Sequence, residues 1–243
     1  MDFKLTYRRF SERSILVEWP QEISEFILED VLFYKNAILD LNIESIVQVN
    51  NAYNSIIIIY ELAIDNINDE YLSLKSIYSN RNIFKKTKAK IFSIPVCYDE
   101  EFSLDLKELS QEKKMSVSEI ISRHSKPVYT VFFIGFLPGF LYLGGLNKRL
   151  HFPRKMSPRF QIKKGAVAIG GAQTGIYPND SPGGWNIIGN SPVDLFLPKK
   201  KEPCFAKPGD KIKFTPISRT EYQSIVLQIG QGVYTIESEV IDG

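Results

Sequence analysis

Apolar and polar positions change rhythm along this chain. Residues 3–10 and 14–19 read as two strands around the turn Ser11-Glu12-Arg13. From Ile23 to Leu41 the apolar residues Ile23, Phe26, Ile27, Val31, Leu32, Tyr34, Ile38 and Leu41 recur near helical spacing, which predicts an amphipathic helix over 22–42. Residues 43–49 and 55–61 are β-branched runs on either side of Asn50-Asn51-Ala52-Tyr53-Asn54, a hairpin pattern. A second helix is expected over 68–79 and another strand over 88–96. The order β-β-α-β-β-α-β predicts a small helix-on-sheet layer of ferredoxin-like type.

Downstream, Ser116-Val117-Ser118-Glu119 has the spacing of a capping box, with Met115 and Ile120 placed as a hydrophobic staple. The helix it opens is expected to run to His124 and stop before Pro127. At a helix C-terminus the dipole favours the charged form of His124. Beyond Val128 the pattern breaks into short runs at 129–133, 166–169, 186–188, 193–197, 211–216, 224–229 and 233–236, all expected as strands of a barrel or sandwich.

Glycine and proline sharpen this division. All fifteen glycines lie at or after Gly135, and eleven of the thirteen prolines lie at or after Pro127. The expected organisation is α+β: a small N-terminal α/β domain over 1–90, then a β-barrel domain over 91–243 with a bridging helical segment at about 105–125.

Composition narrows the function classes. A net charge of +2 over 243 residues gives no bulk argument for nucleic acid or an anionic membrane. The two cysteines, Cys97 and Cys204, have no metal-ligand spacing and form no disulfide framework, so a reducing cytoplasm is expected. Two histidines and two cysteines are too few for a protein-only transition-metal site to be expected. The opening MDFKLTYRRF lacks the apolar core of a signal peptide, and no apolar run reaches membrane-spanning length.

Several motifs are excluded. No Gly-x-x-x-x-Gly-Lys-Ser/Thr run and no His-Glu-x-x-His run occurs. Ser181 sits in Asn179-Asp180-Ser181-Pro182-Gly183, which fails as a nucleophile elbow. The first glycine is replaced by asparagine, and the following proline has no N–H for an oxyanion hole. Ser181 is therefore expected to hydrogen-bond or to fix the loop. The residues left as site candidates are Arg154 and Arg159, whose forks suit carboxylate or phosphate, with Gln173 and Tyr177 as polar partners and Trp185 expected in the core.

GFLPGFLYLGG (135–145), PRKMSPR (153–159), GAQTGIYP (171–178) and SPGGWNIIG (181–189), in that order, resemble the family of 5-oxoprolinase B subunits. That family includes kinase inhibitors of the KipI type. It is related to the first subunit of allophanate hydrolase and to carboxyltransferase parts of urea amidolyase. The resemblance implies a cyclophilin-like C-terminal barrel. It also implies a heteromeric complex with a related cyclophilin-fold partner, the C-type component, and with a separate A-type component. Together these open 5-oxo-L-proline to L-glutamate with ATP. The alternatives it carries are a non-enzymatic inhibitor of a sensor histidine kinase and, after it, an allophanate hydrolase subunit 1 or carboxyltransferase-related component of urea metabolism. Under the enzymatic reading, His124, Arg154 and Arg159 are expected as catalytic residues and Gln173, Tyr177 and Ser181 as substrate-binding residues, with no nucleic-acid or membrane partner.

Overall fold

A computed structural model describes residues 3–80 and 88–241, which form two compact units divided between these segments. In the first unit, β1 (Thr6–Ser11) and β2 (Ser14–Glu18) form the first hairpin, and β3 (Ile46–Asn51) and β4 (Ser55–Tyr60) form the second. The sheet order is β1-β2-β4-β3, antiparallel throughout. The β4 sequence SIIIIY buries alternate residues, so Ile56, Ile58 and Tyr60 face the core. Helix α1 (Glu25–Asp40) covers that face with Ile27, Val31, Tyr34 and Ile38. Helix α2 (Ile67–Ser79) docks beside it, and the buried Tyr34 hydroxyl donates to the Leu74 carbonyl at 2.7 Å. No described helix is long and apolar enough to cross a membrane.

The run expected at 88–96 does not join this sheet. As β5 (Ala89–Cys97) it opens the second unit, pairing in parallel with β13 (Lys211–Ile217). Its residues Phe92, Ile94 and Val96 are buried in the second core rather than the first. Two helices, α3 (Leu106–Lys113) and α4 (Val117–Ser125), stand in place of a single bridging segment.

The barrel is then built from β6 (Val128–Ile134), β7 (Leu141–Gly144), β9 (Ala166–Gly170), β10 (Gln173–Ile176), β12 (Asn186–Asn190), β13 and β5. The ring runs β12-β9-β10-β7-β6-β13-β5 and closes through the Asn190–Cys97 pair, so these seven strands have no open edge between them. A two-stranded ribbon of β8 (Arg159–Ile162) and β11 (Ser181–Gly183) stands apart from the ring.

Three of the expected strands are not strands. Residues 224–229 lie in helix α5 (Arg219–Gly230), started by a complete capping box between Ser218 and Glu221. Residues 193–197 bury Val193 and Leu195 in the barrel core without forming a ladder. Residues 233–236 are coil before β14 (Ser238–Ile241), which pairs with β5. The capping box expected at α4 is half formed. Ser116 accepts from the Glu119 amide at 3.1 Å, but the Glu119 carboxylate turns to Arg123 and Arg149 instead of closing the box.

Candidate functional site

The strands β9, β10 and β12 carry different chemistry on their two faces. Val167, Ile169, Ile176 and Ile188 enter the main barrel core. Ala166, Ala168 and Ile187 face the other way, under a second cluster made by Phe140, Ile162, Tyr177 and Trp185. Small residues on this second face let aromatic rings lie directly on the sheet. At Gly170 a Cβ would stand 2.5 Å from the Trp185 indole, so only glycine fits. At Gly183 it would stand 2.4 Å from the Tyr177 hydroxyl. Both glycines thus serve close approach, around Trp185 and Tyr177.

The aromatic layer is continuous. Phe140 makes edge-on contacts with Tyr177 and with Trp185 at 5.1 and 5.4 Å between ring centres, and Tyr142 meets Trp185 at 5.8 Å. Trp185 is core, as expected, at 4% exposure. Arg154, itself exposed, lays its guanidinium 5.5 Å from the centre of the Trp185 ring. The loop that carries it is tethered: Lys155 N–H donates to Gly184 O at 2.7 Å, and the Asn186 side-chain amide donates to Pro153 O at 2.8 Å.

Gln173 reaches the same place from the sheet. In the β9–β10 register it stands opposite Gly170, and paired residues project to one face. Because the Gly170 Cβ direction points into the indole, the Gln173 side chain leaves the sheet on the Trp185 side.

Of the other expected site residues, Tyr177, His124 and Ser181 are buried and Arg159 is half-buried. Tyr177 is 1% exposed, with the Trp185 backbone amide acting on its hydroxyl. Burial pushes its pKa up, and that amide, Arg154 and Arg159 only partly oppose the rise. Arg159 gives its fork to Asp105, with Nη1 at 2.9 Å from Oδ2 and Nη2 at 2.6 Å from Oδ1. Asp105, 2% exposed, also takes Lys155 Nζ at 2.9 Å and the Ile187 N–H at 2.7 Å. Burial alone would raise the Asp105 pKa, but Arg159, the Ile187 amide and Lys155 outweigh it and hold the carboxyl below its ordinary value.

Sequence reasoning missed Asp105. It sits at the N-cap of α3, where an aspartate reads as a cap, yet it makes no cap bond there and turns to partners 54 and 82 residues away.

His124 corrects the expectation of a charged histidine. It is fully buried, and desolvation lowers its pKa to about 3, overriding the helix dipole. Its hydrogens can be assigned by donor count. Thr174 Oγ1 donates to Ala168 O at 3.0 Å, so it must accept from His124 Nε2 at 2.8 Å. Nδ1 then accepts from the Tyr98 hydroxyl at 2.8 Å. This chain of bonds joins α4 to β9 and β10, with both ring nitrogens satisfied.

Ser181 corrects the expectation of a hydrogen-bonding serine. Its hydroxyl is buried and finds no partner among the described residues. An orphaned buried hydroxyl costs stability, so Ser181→Ala is expected to raise the unfolding free energy by about 1–2 kcal/mol. Urea denaturation followed by Trp185 fluorescence would measure it. A loss of stability would mean that the hydroxyl has a partner after all.

A closed barrel with helices α3 and α4 beside it, preceded by a four-strand helix-on-sheet unit, defines a two-unit α+β protein. The sequence profile "Carboxyltransferase domain, subdomain C and D" matches residues 5–206. The chain belongs to that family and, within its reach, to the family of 5-oxoprolinase B subunits.

It is 45% identical over 135 residues to the 5-oxoprolinase B subunit of Bacillus subtilis, an alignment covering 56% of each chain. It is 38% identical over 154 residues to the Escherichia coli O157:H7 B subunit, covering 61% of this chain and 71% of that one. The matched stretch therefore spans little more than half the length of the Bacillus relative. Among solved structures, TTHA0988 aligns with a TM-score of 0.73 at 30% identity, covering 85% of this chain and 40% of that one. The Kluyveromyces lactis urea amidolyase aligns at 0.83 with 20% identity, covering 98% of this chain and 16% of that one, a likeness of fold.

Proposed function

We propose that this chain is the B subunit of an ATP-dependent 5-oxoprolinase, acting with an A-type component and a second cyclophilin-fold component to open 5-oxo-L-proline to L-glutamate. The observation that carries the reading is the 45% and 38% identity to two proteins named as B subunits of 5-oxoprolinase.

A lactam is a stabilised amide, so its carbonyl must be activated before water attacks. Transfer of the terminal phosphoryl group of ATP to the amide oxygen supplies a leaving group. Water then adds at that carbon, the C–N bond breaks with a proton moving to nitrogen to leave an acyl phosphate, and a second water hydrolyses that acyl phosphate to carboxylate and free phosphate. This chemistry needs donors around the amide and positive charge near the phosphoryl group. Having no P-loop run of its own, the chain leaves nucleotide binding of that kind to the rest of the complex.

Purified alone, the chain is expected to release no glutamate from 5-oxo-L-proline and ATP. Reconstituted with the other components, it is expected to turn over. Full turnover by the lone chain would overturn the dependence on partners. A reconstituted complex that neither hydrolyses ATP with 5-oxoproline nor makes glutamate would overturn the reading itself.

A further inference from the structure

We propose that Arg154, Gln173 and the Trp185 face form a binding subsite for a small cyclic amide carrying a carboxylate, with Arg154 holding the carboxylate and Gln173 the lactam. The assignment deepens the reading above and rests on it for the identity of the ligand.

Three cations stand on the loop 154–159, and two of them are already neutralised. Arg159 forks onto Asp105, and Lys155 bridges Asp105 and Glu108 at 2.9 Å each. Arg154 has no carboxylate within ion-pair distance among the described residues, and its contact is the Trp185 ring. A guanidinium whose contact is an indole face keeps its N–H groups uncommitted, and its planar fork suits a two-point bond to a carboxylate. Its positive charge already acts on the neighbouring phenols, where it opposes the burial that raises the Tyr142 and Tyr177 pKa values.

Gln173 supplies the second half of the recognition. Its carboxamide has no hydrogen-bond partner among the described residues, and it leaves the sheet on the Trp185 side. A lactam is locked in the cis-amide form, so its N–H and C=O point the same way. A primary carboxamide offers N–H and C=O side by side in the complementary order. The two can close a ring of two hydrogen bonds, which neither a carboxylate nor an ammonium side chain would make with a neutral lactam. The backbone beside them is open: a Cβ built on Gly171, at a φ of +67°, meets nothing within 4 Å. The subsite also explains why two guanidinium groups in one motif behave differently. Arg159 braces the loop through Asp105, and Arg154 is the arginine left to meet a ligand.

The test uses the reconstituted complex. Arg154→Ala is expected to raise KM for 5-oxo-L-proline by about tenfold or more, Arg154→Lys by less, and Gln173→Met by about threefold to tenfold. 2-Pyrrolidinone, the same ring without its carboxylate, is expected not to compete. An active complex whose KM is unmoved by Arg154→Ala, or which 2-pyrrolidinone inhibits as well as 5-oxoproline binds, would overturn the subsite and leave the proposed function standing.

If the complex proves inactive, binding decides the matter without turnover. The chain has two tryptophans, and Trp19→Phe leaves Trp185 as the sole reporter. Saturable quenching by 5-oxo-L-proline that is lost in Arg154→Ala would support the subsite while the function reading fails. Absence of quenching in the protein that keeps Arg154 would overturn the subsite too.

Discussion

Replacing Asp105 with alanine is expected to destabilise the barrel unit by about 3–5 kcal/mol, the cost of removing one partner from a buried charged cluster. Its carboxylate is the common acceptor for both arms of Arg159, for Lys155 and for the backbone N–H of Ile187. Alanine strands the Ile187 amide in a buried strand, leaves Arg159 without its carboxylate, and leaves Lys155 with only the more exposed Glu108 as its counter-charge. Asparagine keeps the shape and an acceptor for the Ile187 N–H, so Asp105→Asn should fall between wild type and alanine. Arg159→Ala should also cost less than Asp105→Ala, because Lys155 and the Ile187 N–H still satisfy the carboxylate after both Arg159 bonds are lost.

Urea denaturation of the Trp19→Phe background, read by Trp185 fluorescence, would measure all three. A loss below about 1 kcal/mol in Asp105→Ala would show that the cluster is not a structural brace, and Arg159 would return to the groups free to meet a ligand. The pH dependence has its own sign. Asp105 has a folded pKa below its ordinary value, so its contribution is present above about pH 4 and lost as pH falls beneath that.

Elements formed by local rules are readable in the chain, and those fixed by distant partners are not. The β4 alternation and the α1 stripe are visible because each element buries one face of a regular repeat. Residues 224–229 read as a strand because Ser224-Ile225-Val226-Leu227-Gln228-Ile229 is β-branched and apolar. The better signal stands just upstream, since Ser218 and Glu221 have the same spacing as Ser116 and Glu119. Residues 88–96 have the composition of a strand in either unit. Only pairing with β13, about 120 residues away, places them in the barrel.

The site divides in the same manner. The cluster of glycines, arginines and Trp185 marks the right loops, because close approach and uncommitted charge are visible as residue types. Burial is not a property of a residue type. Tyr177 and His124 look like ligand-facing groups in sequence, and the second cluster and the barrel core enclose them.

Acid should unfold this protein earlier than its carboxylates require, and His124 is the reason. The native state holds the imidazole neutral, with its pKa lowered to about 3 by burial. An unfolded histidine titrates near 6.5, so below that pH the unfolded chain gains a proton that the native chain refuses. Stability therefore falls as pH drops from about 6.5 toward about 3, approaching a slope of about 1.4 kcal/mol per pH unit for this one group.

Between pH 7 and pH 5 the expected loss is about 2 kcal/mol. Most carboxylates lie outside that window, because their unfolded pKa values sit near 4. Urea midpoints at pH 7, 6 and 5 would read the slope directly. His124→Gln, which can still donate to Thr174 and accept from Tyr98, should start less stable but lose the proton-linked slope over this range. The imidazole ¹⁵N signals of native protein should show the Nε2–H tautomer and stay unchanged down to pH 5. A flat stability profile in wild type, or a titrating His124 signal near pH 6.5, would mean that the imidazole is solvated and that the Tyr98–His124–Thr174–Ala168 chain does not hold α4 against the barrel.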